Sequence, residues 1–303
     1  MALRAGIDIG TNTILLLVAE VNGADIKVLE DHVRVVRLGQ GVDKNRAFHP
    51  DALDRARATF AEYRGILDRY PGVDLRAVAT SGSRDAKNSP EFFREVEERF
   101  GIRVNVISGE EEALLSFRGA LPEGSADPRT IAVLDIGGGS TEIVGLRPGA
   151  NGDLFRHSFD MGCVRLSERF LKSDPALASE IQELQNFIAG GLDEKGGVLK
   201  ELEGKNLVGV AGTVTYLAAA HLGLSKFDVE RVQGTYLSRE ALAGLIDRFA
   251  PLSAAERLGL GGMDKGRADV ILAGAYILQA VLEKTGLPGL TASVRGLRYG
   301  AVL

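Results

Sequence analysis

Residues 5–18 read AGIDIGTNTILLLV, and residues 133–146 read VLDIGGGSTEIVGL. Each stretch is an apolar run, then Asp-Ile-Gly, then small hydroxyl-bearing residues, then another apolar run. The two aspartates, Asp8 and Asp135, lie 127 positions apart. The likeness extends beyond the turn. Strand-like segments 5–9 and 13–21 are followed by Asn22-Gly23, a strong hairpin signal, and by alternating residues 25–36. The second half repeats that order at 130–135 and 141–147, with a Pro-Gly-Ala-Asn-Gly turn at 148–152 and a strand at 153–160. A three-strand meander written twice predicts two related domains that face each other.

The 303 residues are long for one core and suit two. With 45% hydrophobic and 25% charged residues, the chain is an ordinary globular protein. A net charge of −5 gives no general attraction to nucleic acid, so a polyanion must be held by a local basic patch or a metal. A single cysteine, Cys163, rules out an intramolecular disulfide and a cysteine zinc cluster. It is expected to be structural, and the four histidines show no ligand spacing. No apolar run approaches the roughly 20 residues that span a bilayer, so no membrane partner is expected. A strand beginning near the first residue leaves no room for a signal peptide, and the cytoplasm is the expected compartment.

Helical patterns alternate with strands. Residues 50–69 start at Pro50 and carry Leu53, Ala56, Phe60 and Leu67 at helical spacing. A strand over 75–79 ends in the small-residue loop TSGSRDAKN. Ser89 is the expected N-cap of the next helix, with Pro90 at its first position. RVNVIS leads from a strand into a helix with a capping box of Ser108 and Glu111. The Pro- and Gly-rich stretch 121–129 is the expected linker. LVGVAGTVTYLAAAHL reads as strand, glycine turn and helix. GRADVILAGAYILQAVLEKTG reads as a long buried helix, and LTASVRGLRYGAVL as strand, loop and short helix. The expectation is an α/β chain with domains over 1–124 and 125–303, the last segment being able to pack back on the first.

A turn of Gly, Ser and Thr after a buried strand aims several backbone N–H groups in one direction, which makes an anion cradle. Two cradles facing each other would grip a chain of phosphates. Carboxylates beside them, Asp8 and Asp135, repel phosphate but can hold Mg²⁺, which phosphates also ligate. Asp135 and Glu142 bracket the second cradle and are the better metal candidates. SGEEEA offers three carboxylates, Glu110, Glu111 and Glu112, at a helix start. Acidic residues stabilise a first turn in any case, so the residues alone do not choose among them.

The stretches GIDIGTNTILLLVAEV, RLGQGV, ATSGSRDAKN, ISGEEEALLSFRGAL, LDIGGGSTEIV, MGCVRLSERF, GVAGTVTYLAA, GRADVILAGA and SVRGLRYG, in this order, resemble the exopolyphosphatase and guanosine pentaphosphate phosphohydrolase family. That family lies within the actin, sugar kinase and heat-shock ATPase superfamily. The resemblance implies two ribonuclease-H-like (actin-like ATPase) domains with an active-site cleft between them. It implies Mg²⁺, or Mn²⁺ in its place, and inorganic polyphosphate or pppGpp as substrate. A homodimer is a further expectation. It places the catalytic glutamate at Glu112. It assigns Asp135 and Glu142, with Asp8, to the metal, and Gly137, Gly138, Gly139, Ser140 and Thr141 to phosphate. Gly10, Thr11 and Asn12 match the first cradle. Gly212 and Thr213 fall at the superfamily's nucleotide-side turn. Among Arg37, Arg84, Arg165, Arg267 and Arg298, Arg84 ranks first for phosphate and Arg298 second. Two features depart from the family: Tyr299 stands where Glu is frequent, and the chain stops at Leu303, which implies a binding track of limited length. A kinase or a phosphate sensor on the same fold are the other functional classes. The first would need a sugar-binding insertion, and the second sits poorly with intact Glu112, Asp135 and Glu142.

Overall fold

The computed structural model describes residues 1–121, 127–147, 153–260 and 262–303. It divides into two compact units, Met1–Gly124 with Leu297–Leu303, and Ser125–Gly296. The 148–152 turn and most of the 121–129 linker lie outside the described residues.

The first unit opens with β1 (Ala2–Ile9), β2 (Thr13–Asn22) and β3 (Asp25–Val35), all antiparallel neighbours. A short α1 (Val42–Asn45) and α2 (Pro50–Leu67) lead to β4 (Asp74–Ala79), which pairs parallel with β1. Then come α3 (Ser81–Asp85), α4 (Ser89–Phe100), β5 (Val104–Val106) and α5 (Gly109–Ala120). The five-stranded sheet has the order β3-β2-β1-β4-β5. On α2, Ala52, Ala56, Phe60, Tyr63 and Leu67 recur every three or four residues and are buried against Ile7, Ile9, Ile14, Phe92 and Phe93.

In the second unit, β6 (Ile131–Ile136), β7 (Thr141–Leu146) and β8 (Leu154–Phe159) repeat the antiparallel meander. Helices α6 (Cys163–Phe170), α7 (Ala178–Glu194) and α8 (Gly196–Lys200) precede β9 (Asn206–Val210), which is parallel to β6 as β4 is to β1. Next are α9 (Ala211–His221), α10 (Val229–Val232), β10 (Tyr236–Ser238), α11 (Arg239–Phe249), α12 (Ala254–Leu258), α13 (Ile271–Thr285) and β11 (Gly289–Ala292). The sheet order is β10-β11-β9-β6-β7-β8. Both sheets thus contain a 3-2-1 meander followed by a parallel fourth strand, the ribonuclease-H-like arrangement, and the duplication read in the sequence is a duplication of topology.

The chain ends in α14 (Leu297–Val302), which belongs to the first unit. Its Tyr299 and Val302 cluster with Leu17, Ala19 and Val21 on one face of β2, while Ile14, Leu16 and Val18 on the other join the α2 core. A strand covered on both faces reads as a continuous apolar run, which is why 13–21 lacks alternation.

Several local expectations change. TSGSRD is not a loop: residues 81–85 form α3. Asn88, not Ser89, precedes α4, and its side chain holds the Phe48 backbone at both N–H and carbonyl. Ser89 instead donates to Ser83 O at 2.8 Å. Half of the capping box forms. Glu111 N–H donates to Ser108 Oγ at 3.1 Å, but the Glu111 carboxylate pairs with Arg76 at 3.0 Å. The long helix begins at Ile271, because residues 264–270 form a separate turn.

Candidate functional site

The two Asp-Ile-Gly turns have one geometry. Gly10 N–H donates to Thr13 O at 2.9 Å, and Gly137 N–H donates to Ser140 O at 3.0 Å. Ile9 pairs with Ile14 across the first hairpin, and Ile136 with Thr141 across the second. Each turn is backed by the segment that follows the third strand. In the first unit, Val36 and Arg37 N–H donate to Asn12 O at 3.0 and 2.8 Å, and Gly39 N–H donates to Thr11 O at 2.8 Å. In the second, Cys163 N–H donates to Gly137 O at 2.9 Å, while Val164 and Arg165 N–H donate to Gly138 O at 2.9 and 3.0 Å. Arg165 Nε adds a bond to Gly139 O at 2.7 Å.

This backing sets the direction of the cradle. In a planar trans peptide, C=O and the next N–H point opposite ways. The carbonyls of residues 137–139 face α6, so the N–H groups of Gly138, Gly139 and Ser140 face away from it. Asn12 and Thr13 N–H are oriented likewise in the first unit. The contact is tight: a Cβ at Gly162 would sit 2.4 Å from Gly138 C and O and from Gly139 N. The backing segments carry a signal the sequence reading left unused. Val-Arg-Leu occurs at 36–38 and again at 164–166, so the repeat runs one element further than the meander.

The two turns differ in charge. Asp135 faces Glu142 across the β6–β7 ladder, and Glu142 faces Ser158 on β8, whose Oγ donates to Glu142 Oε1 at 2.6 Å. Directly opposed residues share a face of the sheet. Asp135 is buried and Glu142 is 0% exposed. Asp8, at the matching place in the first hairpin, faces Leu15. A carboxylate pair is therefore built in the second unit and not at the equivalent ladder position of the first. No group of three or more His, Cys, Asp or Glu among the described residues could hold a metal. Two adjacent carboxylate side chains suit Mg²⁺, which is often bound by one or two carboxylates together with substrate phosphates.

The structure separates the three glutamates. Glu110 and Glu111 are exposed, whereas Glu112 is 6% exposed on the inner side of the first turn of α5. Arg84 Nη1 donates to Glu112 Oε2 at 2.8 Å and to Ile107 O at 3.0 Å. The ion pair gives a buried carboxylate its partner, and Arg84 retains further N–H donors for a second anion.

Other predicted residues turn inward. Thr11 Oγ1 accepts Gly82 N–H at 3.2 Å, tying the first turn to α3. Thr141 Oγ1 donates to Met161 O within the core, so its hydroxyl fastens the hairpin. Thr213 is buried, beside the Cys163 thiol and against Gly274. Burial pushes that thiol up, leaving it protonated and unreactive. Arg298, ranked second for phosphate, is committed to Asp31 by paired bonds of 2.9 and 3.0 Å and lies over the Tyr299 ring. Arg267, ranked lower, is placed differently. Arg267 is 8% exposed, its guanidinium lies over the Tyr216 ring at 5.6 Å, and it fills the space where a Gly212 Cβ would be. Among the described residues no oxygen accepts a hydrogen bond from that guanidinium. Gly212 opens α9 beside Ala211, whose φ of 66° is strained for a residue with a Cβ.

The model of the Ppx/GppA phosphatase family matches residues 17–303. The chain belongs to this family. Exopolyphosphatase 2 of Mycobacterium tuberculosis is 36% identical over 316 residues, covering 99% of this chain and 97% of that protein. The PPX-GPPA enzyme of Aquifex aeolicus superposes with a TM-score of 0.81 at 30% identity, covering 99% of this chain and 98% of that one. An exopolyphosphatase from Cytophaga hutchinsonii gives 0.88 at 28% identity, with 98% and 96% covered. As a Ppx/GppA phosphatase the protein is a phosphoanhydride hydrolase, and no helix among its described residues is long and apolar enough to cross a membrane.

Proposed function

We propose that this phosphatase releases terminal orthophosphate from inorganic polyphosphate, with Glu112 as general base and Mg²⁺ held by Asp135 and Glu142. The observation that carries the reading is the selective burial of Glu112 on Arg84, beside two exposed neighbours. A base must be held in place, and the bond from Arg84 does this. In the second unit the N–H groups of Gly138, Gly139 and Ser140 receive phosphate oxygens; those of Asn12 and Thr13 offer the same chemistry in the first. Arg267 and the N-terminus of α9 add donors, and Arg84 offers its remaining ones. A bound Mg²⁺ supplies charge neutralisation on the phosphates. Glu112 accepts the proton of the attacking water, and the leaving phosphate chain departs as an anion already stabilised by those donors.

Polyphosphate is favoured because the M. tuberculosis relative named exopolyphosphatase 2 aligns along nearly its whole length. The lone buried Cys163 fits a reducing, cytoplasmic setting. The test is orthophosphate release from tripolyphosphate, long polyphosphate, pppGpp and ATP under one condition. The reading expects the highest kcat/KM on a polyphosphate. A preference for pppGpp over every polyphosphate would overturn the substrate assignment and leave the hydrolase chemistry in place.

A further inference from the structure

We infer that Tyr216 and Asp264 form a positioning clamp that fixes Arg267 for substrate phosphate, an inference that rests on the phosphate role of Arg267 proposed above. Tyr216 lies one turn after Gly212 on α9, so both residues are on one face of the helix. The Arg267 guanidinium lies across that face, over the ring of one and the bare Cα of the other. The tyrosine hydroxyl donates to Asp264 Oδ2. Asp264 in turn shapes the turn that carries the arginine. Its Oδ1 accepts Gly266 N–H at 2.9 Å, and its carbonyl accepts Arg267 and Ala268 N–H at 3.0 and 3.1 Å.

One tyrosine therefore contacts the arginine twice, directly by its ring face and indirectly through the residue that starts the turn. The far side of the turn is tied as well. Buried Arg257 donates from Nη1 to Ala268 O at 3.1 Å and from Nε to Phe249 O at 2.9 Å. A buried tyrosine hydroxyl needs an acceptor in any protein. What sets this one apart is that its acceptor lies three residues before a guanidinium whose donors meet no acceptor among the described residues. Burial, then the bond to Asp264, raises the phenol well above its usual range, so it remains a donor across the working pH. Arginine carries several rotatable bonds, and holding it in place before the anion arrives lowers the entropy lost on binding.

The test is steady-state kinetics on tripolyphosphate for Tyr216→Phe, Arg267→Ala and the double variant, with melting temperatures alongside. Tyr216→Phe keeps the ring under the guanidinium and removes only the hydroxyl. It is expected to raise KM roughly tenfold with kcat within about twofold. Arg267→Ala should raise KM more, and Tyr216→Phe should add nothing in that background, since coupled residues are not additive. Asp264→Asn keeps an acceptor oxygen and should cost less than Asp264→Ala, which provides the same test should Tyr216→Phe fold poorly. A raised KM in Arg267→Ala with no change in Tyr216→Phe would overturn the clamp and leave the arginine's role standing. Equal KM effects of Tyr216→Phe in both backgrounds would overturn it as well. An unchanged KM in Arg267→Ala would remove the phosphate role itself, and the clamp with it.

Discussion

Arg84 is asked to do two things, and the geometry permits both. One terminal nitrogen is spent on Glu112 and the Ile107 carbonyl, leaving Nε and the other terminal nitrogen for an incoming anion. Arg84→Lys should therefore recover binding only in part, because an ammonium cannot present the planar fork. Arg84→Ala should raise KM and also lower kcat, since Glu112 loses its partner. Kinetics on tripolyphosphate that show a pure KM change would mean that the ion pair is dispensable for the base. Glu112→Gln should reduce turnover by about 10²–10⁴-fold, the scale of a general base, with Glu111→Gln close to wild type. Loss of activity in Glu111→Gln alone would show the assignment to be off by one position. This choice was not legible in the residues, because three consecutive glutamates at a helix start all satisfy the same local preference. The resemblance pointed to Glu112, and in the structure burial separates it from the other two. The arginine ranking shows the same limit: Arg298 and Arg267 are both arginines in motif-like surroundings, and what distinguishes them is that Asp31 lies beside the first.

At the scale of elements the sequence was far more informative. Two meanders, the glycine turns and α2 follow from periodicity and turn chemistry, because those patterns depend on neighbours in the chain. The α3 helix and the displaced start of α13 were not legible. The first is five residues of Ser, Gly, Arg and Asp, which favour a loop unless a partner such as Thr11 captures a backbone N–H. Tight packing behind the second cradle predicts that Gly162→Ala, with a Cβ 2.4 Å from Gly138, displaces the turn and abolishes most activity. Wild-type kinetics in that variant would mean that the turn tolerates movement. A second element-level prediction concerns acid. Glu95 on α4 pairs with Arg57 of α2 and Arg99, and these bonds, the first above all, hold its carboxyl at about 2, below the ordinary 4.5 of a glutamate. A depressed folded pKa contributes stability above the unfolded value and loses it as pH falls through the folded one. The contribution is thus present above pH 4.5 and lost toward pH 2. Glu95→Gln should melt slightly lower at pH 7, by the roughly 0.2–1 kcal/mol of a partly exposed pair, and the gap to wild type should close toward pH 2. A constant gap from pH 7 to pH 2 would contradict the ion-pair origin.

At the scale of the whole molecule, the chain uses one topology twice and gives the copies different chemistry. Ladder positions seven residues after each aspartate hold Leu15 in one unit and Glu142 in the other, so only the second hairpin builds a carboxylate pair. The first unit carries the Glu112–Arg84 ion pair, and it draws on residues 297–303 for its own core. Tyr299 and Val302 cover Leu17, Ala19 and Val21. Tyr299→Ala should cost about 3 kcal/mol or more, as large aromatic truncations do, and should raise amide exchange in β2 while sparing β9. Equal loss of protection in both strands would show that the two units unfold together. The most direct test of the division of labour is a magnesium titration of orthophosphate release from tripolyphosphate, comparing wild type with Glu142→Gln. The expected result is no release by wild type without the ion, full release on its return, and a half-saturating concentration at least about tenfold higher in the variant. Wild-type turnover that persists in chelator, or superimposable titrations of the two proteins, would contradict it.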